Sequence, residues 1–279
     1  MDSLVSTDWL DAERGAPDLR IADASLFLPE HGRDARAEFV AAHIQGAVFL
    51  DLDELRDTDS ALPNTIPTRA KFASRMGRLG LGDGTRIVLY DASPLHSSAR
   101  AWWLMRHFGV ERVAILDGGL DAWRREDRAI EAGEVAPRPR HFTVRDPLAE
   151  AADKAAVAAA LAEGVQVADA RGAARFAGEE PEPRADIVPG HMPGARNLHY
   201  ARLFEEDGRW RRGEALAHAF RAAGLDPGAP LVTTCGSGVT AAVIAFAAHL
   251  LGQGDVRLYD GSWAEWGSDP ATPKATGRA

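Results

Sequence analysis

The stretch "LVTTCGSGVTAAVIAFAAHLLG" (residues 231–252) decides the fold of this chain. It starts with a short apolar run, passes through a loop of small residues, and continues as an alanine-rich segment that stops at a glycine. These patterns predict a buried strand, a tight turn and a helix. A strand that leads directly into a helix is the repeating unit of a parallel sheet covered by helices.

The same alternation of strand and helix patterns occurs on both sides of the middle of the chain. Apolar runs predict strands at 85–91, 112–119, 229–235 and 255–262. Segments that end at glycine predict helices at 98–109 and 240–252. We therefore expect an α/β fold in which each sheet is mostly parallel and carries helices on both faces.

Three local motifs recur in the same order in the two halves of the chain. The pairs are "RIADAS" and "QVADAR", "AHIQGA" and "GHMPGA", and "ILDGGLDAW" and "LYDGSWAEW". The members of each pair lie about 145 residues apart, which is too long a period for a solenoid and indicates a duplicated domain. We predict two homologous domains at 1–134 and 151–279, joined by a proline-rich linker at 135–150.

The duplication separates structural residues from catalytic ones. His43 and His191 occupy equivalent positions, so we expect both to be structural rather than catalytic. Alignment of the halves places Asp91 opposite Cys235, so only the second half carries a nucleophile.

Composition excludes several classes of protein. The chain has 279 residues, of which 46% are hydrophobic, and a net charge of -9. This charge argues against a nucleic acid or an anionic membrane as partner. One cysteine excludes an internal disulfide and a multi-cysteine metal site. The first residues resemble no signal peptide, and no apolar run approaches the roughly 18 residues that span a bilayer, so we expect a cytoplasmic protein.

The loop that begins at Cys235 has the features of an anion site. Gly236 and Gly238 allow consecutive backbone N–H groups to turn inward, and the start of the following helix adds positive potential. Ser237 and Thr240 supply hydroxyls that can cap the helix or donate to an anion. Such a loop suits a thiolate or a persulfide, although a buried structural cysteine is the plainer alternative.

The loop "CGSGVTA" (residues 235–241), together with the duplicated motifs, resembles the tandem-domain rhodanese superfamily and, within it, the 3-mercaptopyruvate sulfurtransferase branch. The resemblance implies two rhodanese-like domains, the second of them catalytic. It also implies an enzyme that moves sulfur from 3-mercaptopyruvate to a thiol, a thioredoxin-like protein or cyanide through a persulfide on Cys235. Such an enzyme needs neither a metal nor an organic cofactor. A thiosulfate:cyanide sulfurtransferase and a persulfide carrier without turnover remain alternatives.

Charge in the loop favours the mercaptopyruvate branch. Relatives that prefer thiosulfate usually carry arginine and lysine where this chain has Gly236 and Ser237. The resemblance further implies that Arg175 and Arg184 hold the carboxylate and carbonyl of the substrate. Their alternative role is surface pairing with Glu179, Glu180 or Glu182. The substrate is also expected to touch the loop residues Gly236, Gly238, Val239 and Thr240.

A catalytic relay that the resemblance suggests is incomplete in this sequence. Ser237 matches its serine and Asp53 its aspartate, but the histidine position holds Asn64, which cannot exchange a proton as imidazole does. His96 falls where relatives have an aromatic residue lining the cleft, so it lines the wall or restores a titratable group. Arg100 matches a basic position whose role is either pairing between domains or substrate contact.

Overall fold

The computed structural model describes residues 1–278, which divide into two compact units. The first unit consists of residues 1–58, 66–148 and 205–210. The second consists of residues 59–65, 149–204 and those from 211 onward.

The first unit alternates short strands with helices along the chain. Its strands are β1 (Leu4–Val5), β2 (Leu19–Asp23), β3 (His43–Ile44), β4 (Ala47–Phe49), β5 (Arg86–Tyr90), β6 (Val113–Leu116) and β7 (Ile130–Glu131). Its helices are α1 (Thr7–Glu13), α2 (Ala35–Ala41), α3 (Leu52–Leu55), α4 (Arg69–Arg78), α5 (Ser98–His107) and α6 (Gly119–Arg125), with a 3₁₀ turn at Pro29–His31. Four of these helices begin where a side-chain oxygen accepts a backbone N–H, at Ser6, Asp34, Asp51 and Thr68.

The second unit repeats this arrangement. Its strands are β8 (Glu150–Ala152), β9 (Gln166–Asp169), β10 (Arg196–Asn197), β11 (Leu231–Thr234) and β12 (Val256–Tyr259). Its helices are α7 (Lys154–Ala162), α8 (Ala173–Ala177), α9 (Gly213–Arg221), α10 (Ala241–Leu250) and α11 (Ser262–Trp266), with a 3₁₀ turn at Tyr200–Leu203.

The two five-stranded sheets have the same topology, and β3 and β7 form a separate antiparallel pair in the first unit. The first has the order β1-β6-β5-β2-β4 and the second the order β8-β12-β11-β9-β10. All strand pairs in both sheets are parallel. Strands that match in sequence therefore occupy matching places, which confirms the predicted α/β fold, its parallel sheets and the duplication.

The duplicated histidines are confirmed as structural residues. His43 Nδ1 lies 2.7 Å from the carbonyl oxygen of Phe39, and the two rings stack with centroids 3.9 Å apart. His191 Nδ1 lies 2.9 Å from the carbonyl oxygen of Phe176, with the same 3.9 Å stacking. Both rings are buried, so each histidine ties a helix to the strand or bridge that it begins.

Large aromatic side chains fill the core of each unit. Tyr90 and Trp123 are buried in the first, and Tyr259 and Trp263 occupy the corresponding core of the second. Helix α10 is buried along residues 241–248, as expected for a helix that is apolar on every face. Trp102 and Trp103 of α5 are also buried.

Two short segments belong to the unit other than their neighbours in sequence. Residues 59–65 belong to the second unit, where Leu62 packs against the core, and residues 205–210 belong to the first. The boundaries 1–134, 135–150 and 151–279 stay a prediction. No helix within residues 1–278 is both long and apolar enough to cross a membrane.

Candidate active site

Cys235 lies directly after the central strand of the second sheet. Strand β11 ends at Thr234, and the loop of residues 235–240 leads into α10. Ligands of open α/β sheets bind at this carboxyl edge. The cysteine is only 2% exposed, and its Sγ accepts a hydrogen bond of 3.1 Å from the N–H of Gly238. Gly238 has a φ of 84°, the left-handed conformation that the sequence predicts for a glycine in this turn.

Helix α11 holds the backbone on the other side of the cysteine. The N–H groups of Trp263 and Ala264 donate to the carbonyl oxygens of Cys235 and Gly236, each at 2.9 Å. Ser262 Oγ accepts from the N–H of Cys235 at 3.3 Å and donates to the carbonyl of Tyr259 at 2.8 Å. Ser262 therefore fixes the start of the loop from both sides.

Ser262 was not predicted as a site residue, although the duplication contains a signal for it. The motif "DGG" of the first half becomes "DGS" in the second, so Ser262 replaces Gly119. Both residues adopt left-handed backbone, with φ of 50° and 56°. Serine is unfavourable in this conformation, so the hydrogen bonds of its hydroxyl offset part of the strain.

Arg175 places positive charge beside the loop. Its Nη2 lies 3.3 Å from the position that a Cβ would occupy at Gly236. The same guanidinium pairs with Glu182, whose side chain is buried, while 30% of the Arg175 side chain is exposed. Arg175 is thus held in place with one side open, by one of the glutamates expected for the alternative role, and its role in binding an anionic substrate stays a prediction.

Arg175 is held in place by a chain of buried ion pairs that runs through Glu182 and Arg171. Glu182 accepts a hydrogen bond of 2.7 Å from Arg171, which also contacts Asp169 and the carbonyl of Gly190. Burial lowers the pKa of Arg171, but Asp169 and Glu182 together raise it above its ordinary value. Arg171 is therefore a permanent cation that fixes Glu182. Sequence patterns give no signal for this chain, because its members are separated by loop residues without a period.

Arg184 lies in a different environment. Its Nη2 contacts Asp186 at 2.7 Å, and its side chain is 44% exposed. This is a surface pair of the kind expected as the alternative role of both arginines, but its carboxylate is Asp186 and not one of the three expected glutamates. A role in substrate binding stays a prediction for Arg184, and it requires the side chain to leave Asp186.

The position of the missing relay histidine is next to the loop. Asn64 belongs to the second unit, and its Nδ2 donates a hydrogen bond of 3.0 Å to Ser237 Oγ. Val239 and Thr240 are buried at the end of the loop. Thr240 occupies the N-cap position of α10, where its side chain makes no capping hydrogen bond.

The family follows from both units together. Residues 6–126 and 153–269 each match the family model of the rhodanese-like domain. The chain belongs to the rhodanese family. It is 42% identical to 3-mercaptopyruvate sulfurtransferase of Homo sapiens over 95% of this chain and 91% of that protein. It is 38% identical to thiosulfate sulfurtransferase of Gallus gallus over 95% and 93%. The crystal structure of SseA from Escherichia coli matches with a TM-score of 0.86 and 37% identity, over 94% of this chain and 99% of that one.

In this member of the rhodanese family, the first unit has a carboxylate where the second has its thiol. Asp91 accepts hydrogen bonds from the N–H groups of Ser93 (3.0 Å) and Ser98 (2.8 Å). Burial raises the pKa of Asp91. The loop of the first copy therefore binds its own side chain.

The other candidate residues belong to the first unit. Burial, followed by the neighbouring Asp51, raises the pKa of Asp53, which lies in α3. His96 has a φ of 50° and lines a cavity with Asp91, Asp121 and Trp210. Burial lowers the pKa of His96 to about 4, against the opposing effect of Asp121, so its ring is neutral at pH 7.

Arg100 is buried in α5 of the first unit, with its guanidinium 5.1 Å from the ring centre of Trp103. Its packing over this indole gives it a place in the helix core of that unit. The roles predicted for Asp53, His96 and Arg100 in catalysis, cleft lining or pairing stay predictions.

Proposed function

We propose that this rhodanese moves sulfur from 3-mercaptopyruvate to an acceptor through a persulfide on Cys235. The observation that carries the proposal is the hydrogen bond of 3.1 Å from Gly238 N–H to Cys235 Sγ, in a loop that follows β11 and precedes α10. Backbone donors and the start of a helix stabilise negative charge, which the sulfur carries both as thiolate and as persulfide.

The first half-reaction makes one bond and breaks another. The Cys235 thiolate attacks the thiol sulfur of 3-mercaptopyruvate, and an S–S bond forms as the C–S bond breaks. The electron pair of the C–S bond leaves as the enolate of pyruvate, which takes up a proton. The Cys235 sulfur is thereby oxidised and the departing carbon is reduced, so no external oxidant is required.

In the second half-reaction an acceptor nucleophile attacks the outer sulfur and releases the Cys235 thiolate. The family implies a thiol, a thioredoxin-like protein or cyanide as this acceptor. A single cysteine supports a reducing compartment, and we infer a cytoplasmic location on that basis.

Arg175 binds the substrate carboxylate in this proposal. Its guanidinium lies beside Gly236 and is fixed by Glu182, so it offers its exposed N–H groups without first being ordered. Arg184 completes the grip on the carboxylate and carbonyl after it leaves Asp186. Bidentate geometry makes arginine suited to this task.

Thiosulfate is the second candidate donor, because the thiosulfate sulfurtransferase of Gallus gallus is 38% identical over nearly the whole chain. Against it stands the loop, in which Gly236 and Ser237 are uncharged. The experiment is a paired steady-state assay of wild type and Cys235→Ser with each donor. We expect a higher kcat/KM for 3-mercaptopyruvate in wild type and no turnover in the variant. A higher kcat/KM for thiosulfate would overturn the choice of donor, and persulfide loading only by a partner protein would favour a carrier.

A further inference from the structure

The Cys235 loop contains one side-chain hydroxyl whose hydrogen-bond direction is set by a neighbour. Ser237 follows Cys235 by two residues and immediately precedes Gly238, whose N–H contacts the cysteine sulfur at 3.1 Å. The Ser237 oxygen accepts a hydrogen bond of 3.0 Å from Asn64 Nδ2. A hydroxyl that accepts in this way keeps its own proton for another acceptor.

The segment that carries Asn64 is built into the second unit. Leu62 packs partly buried against the core of that unit, which anchors residues 59–65 two positions before the asparagine. Asn64 itself has a φ of 56°, a conformation in which asparagine and aspartate are enriched among non-glycine residues. From this segment the carboxamide reaches Ser237.

We propose that Asn64 is a positioning residue that makes Ser237 a hydrogen-bond donor to the negative charge on the Cys235 sulfur. This inference rests on the proposed sulfur transfer. A carboxamide does not titrate, so it cannot carry a proton away from Ser237 as a relay base does. Asn64 instead occupies a lone pair of the serine oxygen, so the Ser237 proton is left for an acceptor other than the carboxamide.

Asn64→Asp is the sharpest test, because it keeps the shape of the side chain and suits the left-handed backbone. The introduced carboxylate, when ionised, can only accept hydrogen bonds, so the Ser237 hydroxyl would donate to it and would no longer be available as a donor within the loop. Asn64→Gly is the matched control: it keeps the backbone conformation, removes the amide and adds no charge. Ser237→Ala and the double variant Asn64→Asp/Ser237→Ala complete the set.

The measurement is the single-turnover rate of persulfide formation on Cys235 with 3-mercaptopyruvate, from about pH 4, near the ordinary pKa of an aspartate, to about pH 8. At pH 8 we expect Asn64→Asp and Ser237→Ala each to lose roughly tenfold or more, the value of a hydrogen bond to a charged group. The Asn64→Asp loss should shrink toward low pH, where the introduced carboxyl group is protonated and donates again. Asn64→Gly should show a smaller loss that does not vary with pH. The charged side chains of Arg175 and Glu182 near the loop are the same in wild type and in every variant. Each rate is therefore divided by the wild-type rate at the same pH, so that pH effects common to all the proteins cancel.

The double variant distinguishes a change in the direction of the Ser237 hydrogen bond from a direct effect of the introduced negative charge on the sulfur. If the introduced carboxylate acts by turning the Ser237 hydroxyl, its effect disappears once the hydroxyl is gone, and the double variant equals Ser237→Ala. An undiminished Asn64→Asp loss in the Ser237→Ala background would overturn the inference, and so would an Asn64→Asp rate equal to wild type. Failure of wild type itself to form the persulfide would instead overturn the proposed function.

Discussion

Removal of Arg175 tests how this rhodanese recognises its donor. The Arg175→Ala variant loses a guanidinium that lies 3.3 Å from the Cβ position of Gly236 and is held by buried Glu182. Glu182 keeps its 2.7 Å hydrogen bond to Arg171 in the variant. The buried carboxylate therefore retains a charged partner, and we expect the second unit to remain folded.

The magnitude follows from the kind of contact that is lost. A hydrogen bond to a charged group contributes about 1.5–3 kcal/mol, which corresponds to roughly tenfold to over a hundredfold in kcat/KM for 3-mercaptopyruvate. The loss should be smaller for thiosulfate, because that donor has no carboxylate to orient. Arg184→Ala is the comparison. We expect a smaller loss there, since Arg184 is 44% exposed and first has to leave Asp186.

The assay measures kcat/KM with both donors for wild type and the two variants, alongside thermal melting curves. Equal losses with both donors would refute carboxylate recognition and leave a general electrostatic effect. If kcat/KM falls with neither donor, both arginines only form ion pairs with neighbouring carboxylates and do not bind the substrate.

Three further predictions concern the loop and its surroundings. Ser262→Gly introduces the residue that the first unit has at the matching position, Gly119, and glycine suits the left-handed backbone there, so stability should change by no more than about 1 kcal/mol. The rate of persulfide formation should fall, because the Cys235 N–H loses its acceptor. An unchanged rate would contradict this positioning role. His96→Asn should leave the pH profile of kcat/KM unchanged above pH 6, because burial lowers the pKa of His96 to about 4. Because the folded state disfavours the protonated ring, wild type loses stability as pH falls from about 6.5 to about 4, by at most about 3 kcal/mol. His96→Asn lacks this pH-dependent loss, so its deficit in unfolding free energy relative to wild type, measured by urea titration, should be smaller at pH 4.5 than at pH 7. An equal deficit at both pH values would contradict the lowered pKa. Gly236→Arg together with Ser237→Lys should shift donor preference toward thiosulfate by adding cations beside Arg175, and an unchanged ratio of kcat/KM values would exclude loop charge as the determinant.

The duplication made most of the fold predictable. Apolar runs and helices ending at glycine gave the strands and helices around Asp91 and Cys235, and the repeated motifs predicted that both sheets would be alike. The shared strand order confirms this. The duplicated histidines could be classed as structural because a catalytic residue is needed only once.

The sequence could not show which unit two short segments of the chain would join. Residues 59–65 and 205–210 are short loops without periodicity, and whether they pack on one unit or the other depends on a few contacts such as that of Leu62. The hydrogen bond from Asn64 to Ser237 follows from this placement, so the sequence showed only that the relay histidine was missing.

Within the candidate site, the sequence predicts Cys235 as the nucleophile, and this stays a prediction, whereas the groups that surround the cysteine could not be predicted. A lone cysteine at the start of a glycine-containing turn is a local pattern, and such patterns are visible in sequence. Ser262 and the chain from Arg171 to Glu182 act through tertiary contacts, and a one-letter change from "DGG" to "DGS" is the only trace that the sequence carries of the former.

Intact mass spectrometry after treatment with 3-mercaptopyruvate, without acceptor, tests the central claim most directly. Wild type should gain the mass of one sulfur atom, located on Cys235 by peptide mapping and lost again when cyanide or a thiol is added. Cys235→Ser should gain nothing. Added sulfur on the variant, or turnover by wild type with no added sulfur at any time, would contradict a mechanism through a Cys235 persulfide.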